Sequence, residues 1–178
     1  MKRIAIDMDE VTADTMAHYL ERYNAEFKLN LTKEHLLGKR VFEVIDPAHI
    51  ARARAYFEDS SFFADIPVMP GSQEVIRELM TRYEIFITTA AMDVPCSFTP
   101  KFEWLQQHFP FIPSSHVVFC GDKSIVAADY LIDDDPRHFV RFRGEGILFT
   151  AGHNIRETRY RRIDNWEQAR ELFLHATV

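Results

Sequence analysis

The sequence has little of what builds unusual architectures. Its 178 residues include 2 cysteines, 6 glycines and 8 prolines, which excludes disulfide-stapled, collagen-like and low-complexity chains. Cys96 and Cys120 fall in no CxxC or Cys/His spacing, so both read as packed thiols and the compartment as a reducing, cytoplasmic one. No stretch approaches the roughly 18 apolar residues of a membrane span. The amino terminus meets a carboxylate at Asp7, after Ile4-Ala5-Ile6, too soon for a secretory leader. An excess of positive charge is also missing, since 21 Lys and Arg face 27 Asp and Glu for a net charge of −6. That balance argues against a surface that binds polymeric nucleic acid, so any phosphate chemistry has to be local.

What is present suits one ordinary globular domain with a modest insertion: 47% hydrophobic and 27% charged residues. Short apolar runs at 3–8 (RIAIDM), 84–89 (EIFITT), 117–120 (VVFC), 130–132 (YLI) and 147–150 (ILFT) predict buried strands. Between them lie helical patterns. Ser72 precedes QEVIRELM as a cap, Thr99-Pro100 offers a cap and first residue to KFEWLQQHF, and Asp164 with Glu167 forms a capping box for NWEQARELFLHA. The alternation predicts an α/β fold, a Rossmann-like three-layer parallel sheet with its chemistry at the carboxyl ends of the strands. One segment breaks the rhythm. Residues 14–68 predict helices over Thr15–Phe27, Thr32–Leu37 and Pro47–Glu58, the last capped by Asp46. The expected division is a core of 1–13 and 69–178 carrying a small helical cap, 14–68, inserted after the first strand.

Four polar clusters end four of the expected strands: Asp7-x-Asp9, Thr88-Thr89, Gly121-Asp122-Lys123 and Asp133-Asp134-Asp135. Converging carboxylates repel and raise one another's pKa, a conflict that a hard divalent cation resolves; Mg2+ suits few carboxylates, waters and phosphate oxygens. Threonine hydroxyls and a lysine ammonium suit the remaining phosphate oxygens. One carboxylate of the first pair can attack phosphorus while the other exchanges protons with the leaving alkoxide and the attacking water. Asp135 reads as the cap of a helix starting at Pro136, and Arg159–Arg162 (RYRR) as a solvated face.

Asp7-Met8-Asp9-Glu10-Val11, Thr88, Lys123 and Asp133-Asp134 resemble, in order, the four motifs of the haloacid-dehalogenase-like (HAD) phosphohydrolases. The stretches DMDEVTAD, FFADIPVMPG, PKFEWLQQHF, GDKSIVAADYLIDDDP and ILFTAGHN are similar to the 5′(3′)-deoxyribonucleotidases within that superfamily. The resemblance implies a Mg2+-dependent phosphomonoesterase acting on a small-molecule nucleotide through an aspartyl-phosphate. In it Asp7 is nucleophile and metal ligand, and Asp9 is general acid/base with its carbonyl toward the metal. Thr88, Thr89, Lys101 and Lys123 hold the phosphate, and Asp133 and Asp134 complete the metal site, with the direct ligand left open between them. Phe42, Phe62 and Phe63 fall where cap aromatics contact the base. Two positions depart from the pattern: Glu10 stands where many relatives carry Gly, and Glu43 where some carry a second aromatic residue.

Other readings carry other expectations. A related phosphatase would prefer a ribonucleotide or a sugar phosphate. A receiver domain uses similar residues, but in another order and with no such insertion. An idle metal-and-phosphate binder would have little need of Asp9. The base rate for soluble enzymes adds a homodimer as an expectation.

Overall fold

The computed structural model describes residues 1–175. Its centre is a six-stranded sheet made of β1 (Lys2–Asp7), β2 (Tyr83–Thr89), β3 (Val117–Phe119), β4 (Tyr130–Asp133), β5 (Glu145–Phe149) and β6 (Arg161–Ile163). Every pairing is parallel and the spatial order is β3-β2-β1-β4-β5-β6. The chain direction across the sheet reverses beside β1, so the crevice beyond the ends of β1 and β4 is where such a fold binds ligands. Ile4, Ala5, Ile6, Leu131 and Ile132 are fully buried, as a strand covered on both faces requires.

Helices α1 (Thr15–Phe27), α2 (Ile50–Arg54), α3 (Ser72–Leu79), α4 (Phe98–His108) and α5 (Trp166–Arg170) complete the regular structure, joined by short 3-10 turns. The helical starts expected at Ser72, Thr99 and Asp164 each shift. Gly71, at φ 81°, caps α3, and Ser72 inside the helix donates its hydroxyl to Met69 O at 2.7 Å. Helix α4 opens at Phe98, and Pro100 costs no hydrogen bond because the first-turn N–H groups have no helical partner. Asn165, not Asp164, accepts from Gln168 N at 3.0 Å and caps α5. A π turn over Glu171–His175 follows, and the expected helical end at Ala176 lies outside the described residues. Strand β6 was not expected, because two of its three residues are arginines on a sheet edge. Cys120 is buried as expected, but Cys96 is exposed. No helix among the described residues is long and apolar enough to cross a membrane.

Within 14–68, α1 matches its expected bounds, because Asp14 accepts from Ala17 N at 3.0 Å and Lys28 ends the helix at φ 54°. The other two expected helices are shorter: a 3-10 turn at Lys33–Leu36, and Pro47–Glu58 divided among two 3-10 turns and α2. Tyr19, Tyr23, Tyr56 and Phe62 are fully buried there, with Tyr19 lying 5.7 Å from Tyr56. The two chain crossings that join this segment to the sheet are tied together. Asp14 N donates to Pro67 O and Met69 N to Thr12 O, both at 2.8 Å. Two buried indoles fasten the pair from the core side, Trp104 donating to Ile66 O and Trp166 to Val11 O.

Candidate active site

Past the end of β1 the backbone curls tightly, with Met8 O accepting from Thr12 N at 2.9 Å and Ala13 N at 2.8 Å. Met8 is buried in the core, while Asp7 and Asp9 both line a cleft of about 350 Å³. Lys101, Asp133 and Asp134 line the same cleft. Lys101 reaches it because α4 turns Lys101, Trp104 and Leu105 inward together. Its ammonium donates to Asp9 Oδ2 at 2.5 Å and to Thr89 Oγ1 at 3.2 Å, with the Phe63 ring 5.4 Å away. Lys123 lies beneath the cleft, 1% exposed, and bridges Asp7 Oδ1 and Asp133 Oδ2. Asp135 N donates to Asp133 Oδ1 at 2.9 Å.

The charges do not balance. Carboxylate oxygens of Asp7, Asp133 and Asp134 lie within 4.8 Å of one another, and Lys123 is the ammonium between them. Burial pushes the Asp7 carboxyl up to about 7 against the pull of Lys123, and Asp133 and Asp9 add to the rise. Burial likewise raises Asp133, and it raises Asp134 well above the usual range, with Asp133 and Asp7 contributing next. Asp134's carboxylate accepts no hydrogen bond among the described residues. Three hard oxygen donors with surplus negative charge are the donor set a small divalent cation fits. Asp9 goes the other way. Burial favours its neutral form, but Lys101 and the hydroxyl of Thr15, 2.9 Å away, more than offset this and hold it low.

The remaining expected residues are dispersed. Thr88, in register with Asp7, is fully buried; its hydroxyl has no partner, and it is not among the residues lining the cleft. Phe63 lines the cleft, whereas Phe62 packs inside the insertion, 4.9 Å from His18 and 5.2 Å from Phe57. Phe42 lines two neighbouring cavities, one of them shared with Phe57, Asp93 and Val94 of the cleft wall.

Sequence reasoning missed the rim. Arg40 crosses from the insertion to Asp135 Oδ2 at 3.1 Å, and Arg137 approaches the same oxygen at 3.3 Å. Asp135 also caps the 3-10 turn Pro136–Phe139, as expected of it, by accepting from Arg137 N. Glu43 is exposed and accepts from Arg40 N at 2.6 Å, so it shapes the turn that carries Arg40 and Phe42. The only signal for Arg40 was its place two residues before Phe42.

Glu10 has a structural reason. Its φ is 59°, a left-handed backbone that disfavours side chains and suits glycine. In return its carboxylate accepts from Met16 N at 2.6 Å in the first turn of α1. Glu10→Ala keeps the strain and loses this bond, so denaturant unfolding is expected to show a loss of about 1–2 kcal/mol. Glu10→Gly loses the bond but relieves the strain, and is expected within about 0.5 kcal/mol of the parent. Alanine matching glycine would contradict this account.

A parallel sheet in this order, with aspartates at the ends of β1 and β4, is a HAD-like fold. A HAD family hydrolase of Deinococcus radiodurans, solved with bound phosphate and sodium, superposes with a TM-score of 0.64 at 13% identity, covering 99% of this chain and 96% of that one. The family described as 5′ nucleotidase, deoxy (Pyrimidine), cytosolic type C matches residues 1–178, and the chain belongs to it. A Staphylococcus epidermidis protein that provisionally bears the name 5′(3′)-deoxyribonucleotidase is 45% identical over 172 residues, 97% of this chain and 96% of its own length. The 5′(3′)-deoxyribonucleotidase of Bacillus subtilis is 38% identical over 173 residues, 97% of this chain and 99% of its own. The protein is an enzyme, a phosphoric monoester hydrolase of the nucleotidase type.

Proposed function

We propose that the enzyme hydrolyses deoxyribonucleoside monophosphates with Mg2+, through an aspartyl-phosphate on Asp7. The observation that carries the reading is the convergence of Asp7, Asp9, Lys101, Asp133 and Asp134 on one cleft, with Lys123 beneath it. Asp7, Asp133, Asp134 and the Asp9 carbonyl would hold the metal, which when bound supplies positive charge that keeps Asp7 ionised and draws on phosphate oxygens. A HAD-hydrolase of Bacillus subtilis was solved bound to magnesium; its TM-score is 0.61 at 11% identity, covering 97% of this chain and 98% of its own.

An Asp7 carboxylate oxygen attacks phosphorus in line, the bond from phosphorus to the ester oxygen breaks, and Asp9 gives its proton to the departing alkoxide. Asp9 then takes a proton from the water that attacks the acyl phosphate, releasing inorganic phosphate and restoring Asp7. Lys101 links binding to this proton traffic. A phosphoryl group entering the cleft competes for the ammonium that Asp9 holds at 2.5 Å, and burial of Asp9 then favours the protonated acid the first step needs. Thr89 shares that lysine, and Lys123 keeps Asp7 and Asp133 in place from below.

Residues 14–68 act as the cap in this reading, with Phe42, Phe57 and Phe63 as the aromatic wall toward the nucleoside. Phosphate release from a panel of deoxyribonucleotides, ribonucleotides and sugar phosphates with Mg2+ tests the substrate class. Deoxyribonucleoside monophosphates are expected to have the highest kcat/KM, and no release from any of them would reject the proposal. Arg40→Ala, which cuts the cap's tie to Asp135 at the cleft mouth, is expected to raise KM about 5–10-fold and leave kcat within about threefold in steady-state kinetics.

A further inference from the structure

Residues 151–154 (AGHN) lie just beyond β5, with Asn154 closing a 3-10 turn. Asn154 is 4% exposed, and both of its amide hydrogens are used. Its Nδ2 donates to Asp134 O at 2.8 Å and to Phe149 O at 2.7 Å. Its Oδ1 accepts from Ala151 N at 3.2 Å and from the Arg162 guanidinium at 2.8 Å. Two carbonyls on one side and a guanidinium on the other allow only one orientation of the carboxamide. Arg162 is fixed in turn, donating also to Thr150 Oγ1, Asn154 O and Glu157 O at 2.9, 2.9 and 2.6 Å. The arginine run is therefore not wholly a solvated face: Arg159 and Arg161 are exposed, but Arg162 turns inward.

Asp134 needs such an anchor. No described residue donates a hydrogen bond to its carboxylate, whose nearest basic neighbour, His153 Nε2, stands 3.6 Å from Oδ2, so its direction is set chiefly from the main chain. Its backbone carbonyl receives Asn154 and, at 3.2 Å, His153 Nε2. Asp133, by contrast, is steered at its carboxylate by Lys123 and Asp135 N.

We infer that Asn154 is a positioning residue that fixes Asp134 for cation binding through its main chain, and that Arg162 locks Asn154 for this task. The inference rests on Asp134 belonging to the metal site. Calorimetric titration of metal-stripped, full-length protein with Mg2+ tests it. Asn154→Ala is expected to weaken Mg2+ binding about 10–100-fold, the usual cost of losing a group that orients a ligand. Arg162→Met is expected to weaken it at least about fivefold, with Arg161→Ala, on the same strand but exposed, unchanged. At saturating Mg2+ the nucleotide KM of both weakened variants should stay within about twofold of the parent. A folded Asn154→Ala, judged by far-ultraviolet circular dichroism, that binds Mg2+ within twofold of the parent overturns the inference. Should that variant fail to fold, unchanged affinity in folded Arg162→Met overturns it equally. If Asp134→Asn binds Mg2+ as the parent does, the metal-site reading itself falls and takes this inference with it.

Discussion

Asp7→Asn is expected to lower kcat by at least about 10⁴-fold with saturating Mg2+ and nucleotide, while the protein stays folded. An amide nitrogen cannot form the acyl phosphate, and an amide oxygen is too weak a nucleophile to replace the carboxylate. Lys101 and Asp9 would still bind and face the phosphoryl group, so residual activity can come only from a water attacking directly. The fold has no reason to suffer. The substitution is nearly isosteric, Lys123 keeps its bridge to Asp133, and one charge leaves a cluster where burial already pushes Asp7 up to about 7. Circular dichroism should match the parent, and nucleotide affinity by competition should hold within about tenfold. More than about 1% of parental kcat in a preparation free of parent enzyme would remove Asp7 as the nucleophile.

How legible this was depended on whether function lay at strand ends or in side-chain packing. The convergence of Asp7, Asp133 and Asp134 was readable because several apolar runs end in polar clusters, where one alone would read as an acidic turn, and a parallel sheet gathers such ends on one edge. Lys123 was readable through the same logic, although its burial beneath the carboxylates was not. Residues of the insertion were another matter. Phe42, Phe62 and Phe63 look alike in sequence, yet Phe62 is buried among Tyr19, Phe57 and His18 while Phe63 faces the cleft, because one residue along a 3-10 turn changes direction by about a third of a turn. Arg40, Arg137 and Arg162 were invisible as anchors, since an arginine's partner is chosen by tertiary structure across long separations. Strand β6 was hidden for a related reason: its arginines are kept by an edge and a hydrogen-bond network rather than by an apolar face.

Stripped of metal, the protein is expected to lose thermal stability as the pH rises from 7 to 8.5, and Mg2+ to restore more of it at the upper end. The carboxyls of Asp7 and Glu10 are pushed up to about 7, foremost by burial, and burial raises Asp133 and Asp134 as well. Unfolded, such groups titrate near 4. The folded state therefore binds more protons over this interval, and the stability these groups contribute, complete below about pH 4, is lost as the pH climbs through their folded values. His108, His138 and His153, lowered by burial, act with the opposite sign. Their contribution is complete once the pH exceeds the unfolded histidine value of about 6.5, so it does not mask the slope above 7. Carboxyls held low by hydrogen bonds, Asp59 from Ser61 and Arg22, and Glu157 from Arg159, lose their contribution only in acid. Asp134→Asn isolates the cause, because it removes the one carboxylate of the cluster without a donor and touches no ion pair with Lys123. In EDTA at pH 8.5 that variant is expected to melt at least about 2 °C above the parent, the shift that roughly 1 kcal/mol gives in a chain of this size. With Mg2+ the order should reverse, since the parent gains the cation and the variant gains little. Scanning fluorimetry at several pH values, with EDTA and with Mg2+, reads all four arms, and a parent whose melting temperature in EDTA climbs from pH 7 to 8.5 would refute the account.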